Sequence, residues 1–431
     1  MAERLMRDSG VEWIGCIPSA WKIKRVKAEF ISHKDIVGEK VNDYERLALT
    51  LNGVIRRSKE DDQGLQPEKF DGYQILRKNE LVFKLIDLEN VNTSRVGLSP
   101  YDGIVSPAYI VLKQRNRFST KYAEYFFLSM WQREVFNHLG DDGVRSSLNA
   151  SDLLNVPMTI PSEEEQSRIA DFLDKKVSEI DAVISKTKES IEEYKKLKQS
   201  IITEAVTKGL DPDVEMKDSG NEFVGRIPKH WDVKRTRFIA DSLKKGNGIT
   251  KEEVFPDGDI PCVRYGEIYT KYNDGFINCV SKTKLEKISK PSYFSHGDLL
   301  FCGTGELVEE IGKNIVYLGS EECLAGWDII VMKHNQDPLF MNYALNSTYS
   351  QTQKSYGKAK LKVVHISASE IGNIWIAIPP IDEQRRISEH LSDNCSRLND
   401  VISKKEQVIT ELEQYKKSLI YEYVTGKKEV A

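Results

Sequence analysis

Seven histidines (His33, His138, His230, His296, His334, His365 and His390) are scattered along the chain without the short spacings that metal ligands share. The carboxylate pairs Asp61-Asp62 and Asp141-Asp142 could open a nuclease cluster, but neither has a Glu-x-Lys partner on a strand, and both read as solvated turns. An amino-methyltransferase is expected to carry an Asn/Asp-Pro-Pro-aromatic motif, whereas the Pro-Pro pair here, Pro379-Pro380, follows Ile378 at a helix start. No Walker A lysine loop is present, and Gly246-Asn-Gly248 and Gly303-Thr-Gly305 read as short structural turns. Cys16, Cys262, Cys279, Cys302, Cys323 and Cys395 form no Cys-x-x-Cys pair and read as free thiols. The chain is therefore expected to hold no catalytic set, no metal and no cofactor of its own.

What must be positioned instead follows from comparing the chain with itself. Asp8-Ser-Gly-Val-Glu-Trp-Ile-Gly-Cys-Ile-Pro18-Ser-Ala-Trp21 returns 210 residues later as Asp218-Ser-Gly-Asn-Glu-Phe-Val-Gly-Arg-Ile-Pro228-Lys-His-Trp231. Further on the offset settles at 218: Glu80-Leu-Val-Phe83 answers Asp298-Leu-Leu-Phe301, and Asn155 to Pro161 answers Asn373 to Pro379. The second copy thus gains about eight residues between these points. The recurring Trp13, Trp21, Phe223 and Trp231 are read as packing residues, as are Trp131, Trp327 and Trp375.

Each copy has two textures. Residues 1–160 and 211–379 carry short β-branched and aromatic runs broken by Gly, Asn, Asp and Pro, the pattern of a strand-rich mixed domain. Residues 161–210 and 380–426 open on a proline and an acidic turn, then run about 45 residues without an interior Pro or Gly, which predicts two long helices. Both carry a heptad seam in the same phase. The first seam is Leu173, Val177, Ile180, Ile184, Thr187, Ile191, Tyr194, Lys198, Ile201 and Ala205; the second is Leu391, Cys395, Leu398, Ile402, Lys405, Ile409, Leu412, Lys416, Leu419 and Tyr423. Stripes of that length need a partner, and connectivity makes the twin helices run antiparallel. The expected fold class is α/β (α+β): two similar recognition domains joined by an antiparallel coiled coil, with a pseudo-two-fold internal repeat. At 1.5 Å per residue such a helix is a rod of roughly 68 Å, a spacer between two heads.

Two heads of one fold and unlike sequence suit a ligand that repeats with different content in each half, as duplex DNA does. Here the pattern resembles the specificity subunit of type I restriction-modification systems, and the likeness covers nearly the whole chain. Its carriers are the duplicated openings at 8–21 and 218–231, the Pro-x-x-x-Glu-Gln helix starts ending at Gln166 and Gln384, and the Glu-(Ala/Tyr)-Val-Thr helix ends at 204–207 and 422–425. The resemblance implies two target recognition domains, each reading half of a bipartite, asymmetric DNA sequence. It also implies that two methyltransferase subunits dock on the helices and that ATP-dependent restriction subunits join them. S-adenosylmethionine, ATP and magnesium are then expected on those partners. A coiled-coil scaffold for proteins, or a cryptic nuclease, is the alternative reading.

Bulk properties bound this expectation. With 431 residues, 40% of them apolar and 30% charged, the chain has the composition of a soluble globular protein. No apolar run approaches the roughly 18 residues of a membrane span, no secretory signal opens the chain, and a prokaryotic cytoplasmic location is expected. The net charge of −4 demands that any phosphate contacts be local clusters. Candidate clusters are Arg56, Arg57 and Lys59, with Arg95 and Arg145, in the first head; Lys244, Lys245, Arg264, Tyr265, Lys358, Lys360 and Lys362 form the second set. If the helices act as a ruler, lengthening both by about four residues changes the half-site spacing accepted, by about 6 Å of axial rise. Selection of bound duplexes from a library of spacings checks this; an unchanged spacing contradicts it.

Overall fold

The computed structural model describes residues 4–61, 67, 69–86, 88, 95–139, 147–305, 308–358 and 364–430. The chain forms two compact units, residues 1–187 with 407–431, and residues 188–406, so that each long helix contributes one half to each unit. The expected helices are present as Glu163–Lys208 and Ile381–Val424. Glu163, Glu164 and Glu165 fill the first turn of one, and Asp382 and Glu383 that of the other, where negative charge meets the positive end of the helix dipole.

In the first unit, the strands Phe30–Ser32, Ile110–Gln114, Leu81–Phe83 and Val96–Leu98 form an antiparallel sheet in that order. A second sheet runs Gly53–Arg57, Arg46–Thr50, Gly103–Val105, Gln74–Leu76, its one parallel step joining Ile104 to Arg46. The helix Thr120–Gln132 supplies Tyr122, Phe126, Phe127 and Met130 to a core that also takes in Leu173, Ile180 and Ile184 of one long helix and Leu419, Ile420 and Val424 of the other.

The second unit enlarges the same plan. Ala240–Lys245, Ile329–His334, Leu299–Cys302, Asn314–Tyr317 and Gly275–Phe276 make a five-stranded sheet, and Ser281–Thr283, Ile260–Val263, Cys323–Ala325 and Tyr293–Phe294 a four-stranded one. The latter also has a single parallel step, Cys262 beside Leu324. The strand Ile329–His334 reads Ile-Ile-Val-Met and is buried on both faces over those residues, which is why it lacks the polar alternation of a surface strand.

The seam is buried or half-buried in each unit. Leu173, Ile180, Ile184, Ile191 and Leu391 are buried, whereas Val177, Leu398, Ile402, Ile409 and Leu412 are half-buried. Contacts confirm antiparallel packing within each unit. In the first, Phe172 stacks on Tyr423 at 4.5 Å, and Lys416 Nζ meets Asp181 Oδ1 at 2.5 Å. In the second, Lys405 Nζ lies 5.5 Å over the Tyr194 ring, and Lys198 Nζ meets Asn399 Oδ1 at 3.1 Å and Asp274 Oδ2 at 2.9 Å. Lys198 and Lys416 are repeat equivalents, as are Asp181 and Asn399, so one polar pair occurs twice and fixes the helix register each time.

The repeated openings explain themselves in the same way. Each is a hairpin with the same register, Met6 opposite Pro18 and Met216 opposite Pro228. It delivers a tryptophan to a helix start: Trp21 Nε1 donates to Glu165 at 2.7 Å, and Trp231 Nε1 to Glu383 at 3.1 Å. The adjoining glutamines are buried clamps. Gln166 accepts from Ser119 N at 2.8 Å and donates to Pro161 O at 3.0 Å; Gln384 accepts from Asp337 N at 3.0 Å and donates to Pro379 O at 2.9 Å. The tryptophans also cover a helix end, since a Cβ on Gly426 would lie 3.0 Å from Trp21, and one on Gly209 3.3 Å from Trp231. Both glycines have positive φ, as a helix C-cap requires. Trp21 and Trp231 therefore hold the packing role expected of them.

Candidate nucleic-acid interface

In the first unit the candidate cations sit on and beside a sheet edge. Gly53–Arg57 pairs on one side with Arg46–Thr50, turns Val54 inward, and leaves Arg56 exposed. The Arg56 guanidinium lies 2.8 Å from Glu45 and 4.4 Å over the Tyr101 ring, which orients it without burying it. Arg57 is drawn to Asp61 at 2.7 Å, and Lys59 Nζ donates to Val41 O at 2.5 Å. Asp61 is thus an arginine partner; Asp62, Asp141 and Asp142 lie outside the described residues.

Arg95 requires a correction. It was expected on a polar loop in contact with nucleic acid, but it is 1% exposed and donates to Leu88 O at 2.8 Å. A guanidinium so placed holds the interior of its own domain and cannot reach a phosphate. Arg145, Lys360 and Lys362 lie outside the described residues.

In the second unit Arg264 and Lys358 have structural duties. Arg264 forks onto the buried Glu267 at 3.0 and 2.8 Å, closing the first turn of the helix Tyr265–Thr270. Tyr265, beside it, is 44% exposed. Lys358 Nζ donates to His365 O at 2.6 Å and meets Glu370 at 2.7 Å. These bonds hold both cations against the domain, and the side chain of Lys358 is only 15% exposed.

Lys244 and Lys245 behave differently. They end the edge strand Ala240–Lys245 and are both exposed. They line a concavity of about 430 Å³ together with Lys290, Lys333, Asn247 and Tyr293. Lys333 is 3.4 Å from Asp298, and Lys245 is 2.7 Å from Asp328. Lys244 and Lys290 have no carboxylate within ion-pair distance among the described residues. Four lysines around one hollow, two of them without an ion-pair partner among the described residues, form the cation cluster that the net charge of the chain demanded. Sequence reasoning found two of the four. Lys290 stands in the basic, proline-terminated stretch Lys287-Ile-Ser-Lys290-Pro291 and was legible as a loop cation, whereas Lys333 sits within a strand far away in sequence.

Trp327 requires the second correction. Read as a packing residue, it is instead 56% exposed at the three-residue turn Gly326-Trp327-Asp328 between Cys323–Ala325 and Ile329–His334. The turn places it outside the strands that bury their other apolar side chains.

Among the described residues, no group of three or more His, Cys, Asp or Glu could hold a metal ion, and no helix is long and apolar enough to cross a membrane. All six cysteines are free.

Known proteins share this organisation. Residues 42–193 and 228–411 each match the type I restriction modification DNA specificity domain. The MjaX specificity subunit of a type I restriction enzyme from Methanocaldococcus jannaschii is 22% identical over 96% of this chain and 95% of its own. The type I restriction enzyme MjaVIII specificity subunit of the same organism is 23% identical over 75% of this chain and 74% of its own. A chain from a solved type I R-M system superposes with a TM-score of 0.66 at 14% identity, covering 96% of this chain and 99% of that one, which extends the likeness to the fold. With two matched segments falling on the two halves of an internal repeat, the chain belongs to the family of type I restriction-modification DNA specificity subunits.

Proposed function

We propose that the chain reads a bipartite, asymmetric sequence in duplex DNA, each globular domain reading one half, and performs no chemistry itself. Two methyltransferase subunits dock on the paired helices, ATP-dependent restriction subunits join them, and S-adenosylmethionine, ATP and magnesium reside on those partners in the prokaryotic cytoplasm. The observation that carries this reading is the repeat: one sheet plan, one helix clamp and one polar register pair occur twice, while the exposed cations differ between the copies. Constant scaffolding with variable surface is what two readings of unlike half-sites require. Half a site per domain also makes the contacts separable. Arg56→Ala is expected to weaken recognition of one half-site, and Lys244→Ala that of the other.

Native mass measurement of the full chain, co-expressed with its methyltransferase partner, tests the assembly. One chain with two methyltransferases is the expected stoichiometry. A chain that remains alone, or one that gathers unrelated proteins without DNA affinity, would support a protein scaffold instead.

A further inference from the structure

We propose that Trp327 is a base-contacting specificity residue of the second domain, with the lysine hollow beside it seating the backbone of the same duplex. This inference rests on the DNA-reading function above. An indole 56% exposed at a turn, while Trp21 and Trp231 are buried, has its ring available to something other than the core.

The turn is built to hold it there. Asp328, the next residue, is left-handed with φ 65°, a conformation uncommon for residues other than glycine that its surroundings here hold in place. The enforcement is visible. The Asp328 carboxylate takes Lys245 Nζ at 2.7 Å and the Thr304 hydroxyl, and its carbonyl accepts from Gly303 N at 2.7 Å. Thr304 is tied in turn to His365 Nδ1 at 2.9 Å. A Cβ on Gly303 would fall 2.8 Å from the Asp328 carboxylate, and one on Gly246 would fall 2.4 Å from Gly326 O. Gly246 and Gly303, one from each Gly-x-Gly turn, thus allow two segments to close around this one.

Lys245 links the turn to the cation cluster. Its ammonium lies 5.2 Å over the Trp327 ring, and the same side chain lines the hollow with Lys244, Lys290 and Lys333. A rigid apolar plate beside four lysines, of which Lys244 and Lys290 have no ion-pair partner among the described residues, matches a base edge, methyl or sugar face flanked by phosphates. The corresponding turn of the first domain, between Gly103–Val105 and Ile110–Gln114, reads Ser106-Pro-Ala-Tyr109 and carries no indole. The two domains therefore differ where they share a fold, as residues that set different half-site sequences must. Lys245 is a positioning residue for Trp327, and Lys244 and Lys290 are the phosphate contacts.

Methylome sequencing of cells carrying the full chain and its methyltransferase partner tests this, comparing wild type with Trp327→Ala and Trp327→Phe. The expected result is a motif relaxed at one or two base pairs in a single half, with the other half and the melting curve of the chain unchanged. If the alanine variant abolishes methylation, the phenylalanine variant is expected to restore it with altered preference; failure of both variants overturns the assignment. An unchanged motif in Trp327→Ala also overturns it while leaving DNA reading intact, whereas absence of any motif with the wild-type chain overturns both. Independently, Lys244→Ala with Lys290→Ala is expected to lower the slope of log affinity against log salt for calf-thymus duplex DNA by about 0.9 per lysine. An unchanged slope removes the hollow from the interface.

Discussion

Trp231→Ala is expected to destabilise the second unit by roughly 3–5 kcal/mol, the usual result of deleting a buried large aromatic. The indole is fully buried, packs over the glycine that ends one long helix, and donates to the first-turn glutamate of the other. Its removal opens a cavity at the point where two helix ends and a hairpin meet, and strips Glu383 of one of its two donors, the other being His230 at 2.8 Å. Trp231→Phe keeps most of the packing and loses the hydrogen bond, so a cost nearer 1–2 kcal/mol is expected. Trp21→Ala should act on the first unit in the same way, because Glu165 and Gly426 stand around it as Glu383 and Gly209 stand around Trp231. Hydrogen exchange of the full chain resolves the two units, and a loss below about 1 kcal/mol for either alanine variant would contradict the clamp.

The second large effect concerns pH. Lys354, on the short helix Thr348–Ser355, is 2% exposed, and its ammonium donates to Gly312 O at 2.6 Å and Asn314 Oδ1 at 3.1 Å without a carboxylate partner among the described residues. Burial brings its pKa down to about 7. The unfolded chain, with its lysine titrating at the ordinary value, keeps a proton that the folded chain releases, so stability rises with pH above about 7. As pH falls through the folded pKa this contribution is lost. Between pH 7 and 8.5 the second unit is expected to gain about 1.5 kcal/mol. In Lys354→Met that gain should vanish. The buried thiols Cys262 and Cys302, pushed up to about 12 by burial, act in the opposite sense only as the unfolded thiols ionise near 9, which sets the upper limit of the window. Amide exchange in Leu299–Cys302 at the two pH values checks the sign; equal gains in wild type and variant would contradict it.

The parts of this molecule that were legible in the sequence are those with a period. The heptad pattern of the helices and the 210- and 218-residue offsets are properties of the chain itself, and the proline and acidic turn at each helix start need no tertiary partner. Even the polar interruptions of the seam could be aligned, although only folding shows Lys198 and Lys416 meeting Asn399 and Asp181. The site was less legible because its residues come together from distant segments. Lys333 joins Lys244 through sheet pairing, and Lys290 arrives from a loop. Arg95 looked like a surface cation from its polar neighbours, yet its side chain turns inward to Leu88. Lys354 gave no sign of burial within the polar run Thr-Tyr-Ser-Gln-Thr-Gln-Lys-Ser. Trp327 was misassigned for the converse reason: an aromatic among strand residues ordinarily packs, and only the left-handed Asp328 turns it out.

Under the proposed function, the chain provides the DNA sequence, in two halves, on which a modifying complex acts. Methylome sequencing of cells with and without the chain, in the presence of its methyltransferase partner, tests it most directly. The expected result is one bipartite, asymmetric methylated motif that disappears when the chain is removed. Methylation that persists unchanged without the chain, or a motif that is continuous rather than split, would contradict it.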